Sequence, residues 1–124
     1  MSTIKVTNIQ DTSGGNSSTS AEIYQGRVRA WVVFNGSGTV SIDNDFNVST
    51  IGDNGTGRYT VNFTTAFTNA NYVAAGTAGN DGATTSGRKV GRDGIWTTSA
   101  CQLRDSYGST AVDDVYICAM FIGE

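Results

Sequence analysis

The segment Trp31–Tyr72, WVVFNGSGTVSIDNDFNVSTIGDNGTGRYTVNFTTAFTNANY, confines this chain to antiparallel sheet. Apolar and small polar residues alternate along it, and Asn-Gly, Gly-x-Gly and Asp-Asn-Gly steps interrupt it at short intervals. Alternation at period 2 sends successive side chains to opposite faces of a strand, and Gly and Asn supply the positive φ that tight turns need. No apolar stripe at helical spacing runs through the segment.

Composition bounds what such a sheet can bury. Gly, Thr, Ser and Asn supply 55 of the 124 residues, and the apolar fraction is 38%, below the usual globular share. One domain of this size buries roughly two thirds of its unfolded surface. A chain this poor in apolar side chains therefore gains from burial against other copies, and oligomerisation is expected. The net charge of −3, from 8 basic and 11 acidic residues, leaves no basic footprint for nucleic acid. Apolar runs such as Ala30–Phe34 are strand-sized and far short of the roughly 18 residues of a membrane-spanning helix, so no membrane insertion is expected. Met1-Ser2-Thr3 opens without the basic and apolar regions of a secretory signal, and synthesis in a cytoplasm is expected.

Residues 1–26 read as a separate attachment or oligomerisation unit. Thr3–Gln10 alternates as a short strand, and Asp11–Ser20 (DTSGGNSSTS) is a polar, flexible joint. Thr19 and Glu22 match a capping box, which predicts a helical turn or two over Ala21–Gln25, stopped by Gly26 in the left-handed region. Residues 27–124 read as the β-sandwich unit. Val28, Ala30, Val32 and Phe34 share one strand face, while Arg27, Arg29, Trp31 and Val33 share the other. Strands are expected at Thr39–Asp43, Phe46–Ile51, Arg58–Thr64, Tyr72–Thr77, Ile95–Leu103 and Asp113–Ile122, with a hairpin at Asp53-Asn54-Gly55. In the last strand Val115, Ile117, Ala119 and Phe121 oppose Tyr116, Cys118, Met120 and Ile122. Both of its faces are apolar, so a covering layer is expected on each side. Ala78–Gly94 (AGNDGATTSGRKVGRDG) is the longest segment expected to be irregular, and loops of that length tend to be functional.

Chemistry is sparse. The chain has no histidine, which removes Ser-His and Cys-His pairs and the commonest general base. Asp43, Asp45, Asp113 and Asp114 are carboxylates that could form a hydrolytic pair, but acidic residues beside turns usually bond the local backbone. Asp43-x-Asp45-x-Asn47 opens like a calcium loop and then carries Val48 where glycine is needed and Asn54 where the bidentate Glu is needed. The Gly-rich segment lacks phosphate-loop spacing, and the four Asn-x-Ser/Thr matches carry no weight in so Asn-rich a chain. No cofactor and no metal are expected. Cys101 and Cys118 lie in strand-like apolar runs and read as buried thiols rather than a disulfide. The loop cations Arg88, Lys89 and Arg92 flank Trp96, with Tyr107 in the next loop. Aromatic rings beside guanidinium groups suit stacking and forked hydrogen bonding to a sugar, and these five residues are the candidate receptor contacts. Strand parity lets Trp96 face either way, and the favoured reading packs it inward beside ordinary solvated loop cations.

TIKVTNIQDTSGGN near the start, and AEIYQGRVRAWVVFNGSGTVSIDNDFNVSTIGDNGTGRYTVNFTTAFTNANY after it, resemble the small tail-fibre-like proteins of bacteriophages, notably marine and cyanobacterial ones. That family shares a block of the form KAW-x-NFNGTGTV…FNVSSI-DNGTG-YTVNF. The resemblance runs from Thr3 to about Tyr72 and weakly over the last strand to Phe121-Ile122-Gly123. Val33 stands where the family pattern has Asn, and Arg27 and Arg29 replace more neutral residues. The resemblance implies a non-enzymatic virion structural protein, homotrimeric, displayed on the particle exterior and touching other virion proteins and a host-surface glycan. Only a short stretch precedes the helix, so a tip subunit and a capsid decoration protein both fit; a polysaccharide-degrading tail enzyme fits less well, for want of an acid pair. The expected fold is an all-β antiparallel sandwich of about seven or eight strands with one short N-terminal helix.

Overall fold

Alternating side chains become two antiparallel layers in the computed structural model, which describes residues 1–80 and 87–124. In chain order the elements are β1 (Asn8–Ile9), β2 (Ser18–Thr19), α1 (Ser20–Gly26), β3 (Val28–Asn35), β4 (Ser41–Phe46), β5 (Val48–Asp53), β6 (Arg58–Phe63), β7 (Val73–Gly79), β8 (Arg88–Asp93), β9 (Ala100–Tyr107), β10 (Thr110–Ala111) and β11 (Tyr116–Ile122). One sheet runs β4-β3-β11-β7. The other joins β5, β6 and β9, with β8 and β10 also paired to β9. The described residues thus place nine strands in the two sheets, and β1 and β2 form a separate ribbon.

The inward faces follow the sequence parity. Ala30, Val32 and Phe34 of β3 join Ile117, Ala119 and Phe121 of β11, and meet Tyr59, Val61 and Phe63 of β6 and Cys101 and Leu103 of β9. Edge-to-face pairs at 5.1 Å, Phe34–Tyr59 and Phe63–Phe121, join the two layers. Each such pair contributes about 0.5–1.5 kcal/mol beyond its buried area. The Asp53-Asn54-Gly55 hairpin links β5 to β6, with Gly55 at φ 103° and Gly57 at φ 65°.

Several boundaries differ from the sequence reading. The chain turns at Asn47, whose φ is 58°, so β4 and β5 are displaced from Thr39–Asp43 and Phe46–Ile51. Asn47 makes this corner between the sheets stable: its amide donates to Arg29 O (3.1 Å) and Thr65 O (3.0 Å), and its Oδ1 accepts from Thr65 N (2.7 Å). The segment Ala78–Gly94 holds a strand, β8, paired along β9 from Arg88 to Asp93; residues 81–86 of it lie outside the described residues. Ile95–Ser99 precedes β9 rather than starting it, and β11 begins at Tyr116 rather than Asp113. At the N-terminus only Asn8–Ile9 of the expected Thr3–Gln10 strand is paired.

The capping box is present: Thr19 Oγ1 accepts from Glu22 N (3.2 Å), and Glu22 Oε2 accepts from Thr19 N (2.7 Å). The left-handed stop at Gly26 is absent; Arg27 follows in extended backbone at φ −80°. No residue of 1–26 is buried. The helix touches the sandwich through Gln25 Nε2, which donates to Glu124 Oε1 (2.7 Å), and through Tyr24, over whose ring Arg27 and Arg29 lie. No described helix is long and apolar enough to cross a membrane.

Candidate functional site

The five candidate contact residues come from β8, β9 and the turn between them, and the structure sorts them into two pairs and a single residue. Arg88 lies over the Tyr107 ring at 5.2 Å, and Arg92 over the Trp96 ring at 4.7 Å. Lys89, between the two, is exposed. In each pair one partner is half-exposed or more and the other is fixed from beneath.

Trp96 faces inward. It stacks on Tyr72 at 5.0 Å with an interplanar angle of 9°, and its indole N–H donates to Gln102 O (2.8 Å). Only its outer face is left, and the Arg92 guanidinium covers that. Tyr107 is half-exposed. Its partner Arg88 is largely covered, because the Arg88 guanidinium reaches Asp114 Oδ1 at 3.0 Å, and Asp114 is fully buried. A buried carboxylate needs such a partner or it neutralises.

Beneath Arg88 lies a carboxylate pair. Asp105 follows Cys101 and Leu103 on the inward face of β9 and is also fully buried. Its Oδ2 accepts from the Asp114 backbone N–H (3.1 Å). Burial first, and the nearby Asp114 charge second, push Asp105 up to about 6. Asp113 points away from this pair: its Oδ1 accepts from the Tyr59 hydroxyl (2.7 Å) and the Gly57 N–H (2.6 Å). Burial, then the Asp113 contact, holds the Tyr59 phenol far above its ordinary range. Asp113 and Asp114 are thus engaged in closing the loop before β11. Asp43 and Asp45 sit on β4, where Asp45 Oδ2 accepts from Val48 N (3.3 Å) at the corner. Among the described residues no group of three or more acidic or cysteine side chains is placed to hold a metal ion.

The cysteines are free thiols. Cys101 is sealed in the core, where burial pushes its thiol up to about 12. Cys118 sits on the opposite, outward side of the other sheet.

Two concave surfaces fall outside the candidate set. A cleft of about 530 Å³ is lined by Arg27, Arg29, Phe46, Asn47, Thr64 and Thr65. Its guanidinium and hydroxyl groups offer donors to a polar ligand, and Arg29 is held by the Tyr24 and Phe67 rings, each 5.3 Å away. The charged start of β3 was the only mark of it in the sequence. The second is an apolar groove of about 370 Å³ on the outward face of β3, β11 and β7, lined by Trp31, Val33, Ala75, Thr77, Cys118 and Met120. The doubly apolar last strand announced that face: one side of β11 is covered by the other sheet, and its outward side is open. No protein-family model matches the chain, and no curated protein or solved structure matches it.

Proposed function

We propose that this chain is a non-enzymatic bacteriophage virion protein of tail-fibre type, displayed on the particle exterior as a homotrimer. The observation that carries the reading is the N-terminal unit. Residues 1–26 have no core of their own and no fully buried residue, yet Ile4, Ile9, Ile23 and Tyr24 expose apolar surface there. Exposed apolar groups on a minimal folded unit mark a docking element. The resemblance of Thr3–Tyr72 to phage tail-fibre-like proteins supplies the setting. In this reading Lys89, Arg92 and Tyr107 meet a host-surface glycan, and Arg88 and Trp96 position them from below.

The test is immunogold labelling of intact particles with antibody against this chain. Gold at the tail is the expected result, after which Lys89→Ala/Arg92→Ala, on exposed positions of β8, should reduce host adsorption. Gold spread over the head makes the chain a capsid decoration protein anchored through residues 1–26, and no gold on the particle overturns the virion reading. Release of new reducing ends from host polysaccharide by the purified protein overturns the non-enzymatic part and favours a tail enzyme.

A further inference from the structure

The outward face of the β4-β3-β11-β7 sheet and the stretch before β1 are both without a partner in a single copy, and Ile9, paired to β2 through its backbone alone, exposes its side chain beside that stretch. Register places Phe46, Trp31, Met120 and Ala75 in one row across the four strands, and Asn44, Val33, Cys118 and Thr77 in the next. A register shift between Phe121 and Ile122 then sets Ile122 between Val28 and Val73 at the end nearest α1. Phe46 is 54% exposed, Met120 43% and Val73 65%. The first two rows contain no charged side chain, and Arg29 lies beside them at the register shift.

Two copies meeting face to face through this surface would fall short of a stable interface. Four strands about 4.8 Å apart and six residues long, at about 3.3 Å per residue, cover on the order of 400 Å². A stable interface buries about 800 Å² per partner. The chain supplies further apolar surface at Ile4, Val6 and Ile9, which are 88%, 50% and 59% exposed. Ile4 and Val6 recur at period 2 in unpaired backbone, so a strand formed there would present both on one face.

We infer that the occupant of the outward face is the N-terminal segment, residues 3–9, of a second copy of this chain. Each copy then gives a segment to one neighbour and receives one from another. Such a head-to-tail contact closes into a ring where the rotation between copies divides a full turn, as three-fold symmetry requires, and otherwise runs on as a filament. The inference rests on the homotrimer reading above and names the two surfaces that build it. Because the rows are uncharged, copies of a chain with net charge −3 meet there without like-charge repulsion.

Two full-length variants separate the two surfaces. Met120→Glu spoils the face and keeps the segment; Ile4→Asp/Val6→Asp spoils the segment and keeps the face. Sedimentation velocity on the purified wild-type chain should give a ring mass, and each variant alone should fall to 13.0 kDa. Mixed, the variants should form a one-to-one complex that cannot close, because one good segment meets one good face. A monomeric wild-type chain at tens of micromolar overturns the inference, as does an oligomer that survives both variants, which would leave the trimer standing on other surfaces. Absence of the one-to-one complex also overturns it. The segment variant touches nothing in the core, so its result stands even if Met120→Glu fails to fold. Location on the virion plays no part in these readouts, so their failure is distinct from that of the virion reading.

Discussion

At the scale of single residues, Asp105 titrates against the usual stabilising direction of a carboxylate. Its folded-state value, about 6, lies above the ordinary 3.8, so the folded form binds the proton more tightly than the unfolded chain. The stabilisation is complete below about pH 4, is lost as pH rises through about 6, and is absent above. A difference of that size between the folded and unfolded carboxyl corresponds to about 3 kcal/mol. Asp105→Asn keeps a neutral group of the same shape, so the fall in urea midpoint between pH 4 and 6.5 should flatten in that variant. Asp11 and Glu22 act with the opposite sign, since bonds from Ser13 and from Thr19 lower them; being exposed, they contribute little. Arg88 is the second sensitive position. Arg88→Met strands the buried Asp114 charge and should cost about 3–5 kcal/mol in denaturant unfolding, with most of it recovered by adding Asp114→Leu.

Among the elements, α1 and β7 make contrasting predictions. Thr19→Ala removes a cap worth about 1 kcal/mol, but α1 has no buried residue. The expected result is faster amide exchange over residues 20–26 with an unchanged global midpoint. Gly76→Ala should act globally. A Cβ there would lie 2.6 Å from Cys118 O and 2.9 Å from Val90 Cγ1, an overpacking that costs about 1–3 kcal/mol in the urea midpoint. The same contact explains why β8 was illegible. Its sequence, RKVGRD, carries one apolar residue, Val90, and that residue packs on a glycine of another strand. Strands β3, β6 and β11 were legible because three or more inward apolar residues recur in each at period 2. The β4–β5 corner was not, since one Asn among ten gives no sign that it alone turns between sheets. Of the candidate site, the neighbours Arg88, Lys89 and Arg92 could be read from the sequence. The inward turn of Trp96 depended on Tyr72, a distant partner, and the buried Asp105 interrupts an otherwise apolar run.

For the whole molecule, a ring closed by exchanged segments makes folding and assembly one equilibrium. The thermal midpoint of the wild-type chain should then rise with protein concentration, while that of Ile4→Asp/Val6→Asp should not; scanning calorimetry over a hundredfold range of concentration checks it. The sheet topology also sets an order of events during synthesis. β11 lies between β3 and β7, so the centre of that sheet is the last of its strands to leave the ribosome. At roughly 5–20 residues per second, β3 waits several seconds for the neighbour that completes it. Throughout that interval the backbone edge of β3 that pairs with β11 is open, on a nascent chain already close to other copies on the same message. The strand that seats the sandwich is therefore also the clock that decides when it stops being adhesive, and slow codons just before Tyr116 would lengthen the window for mispairing between polysomal neighbours.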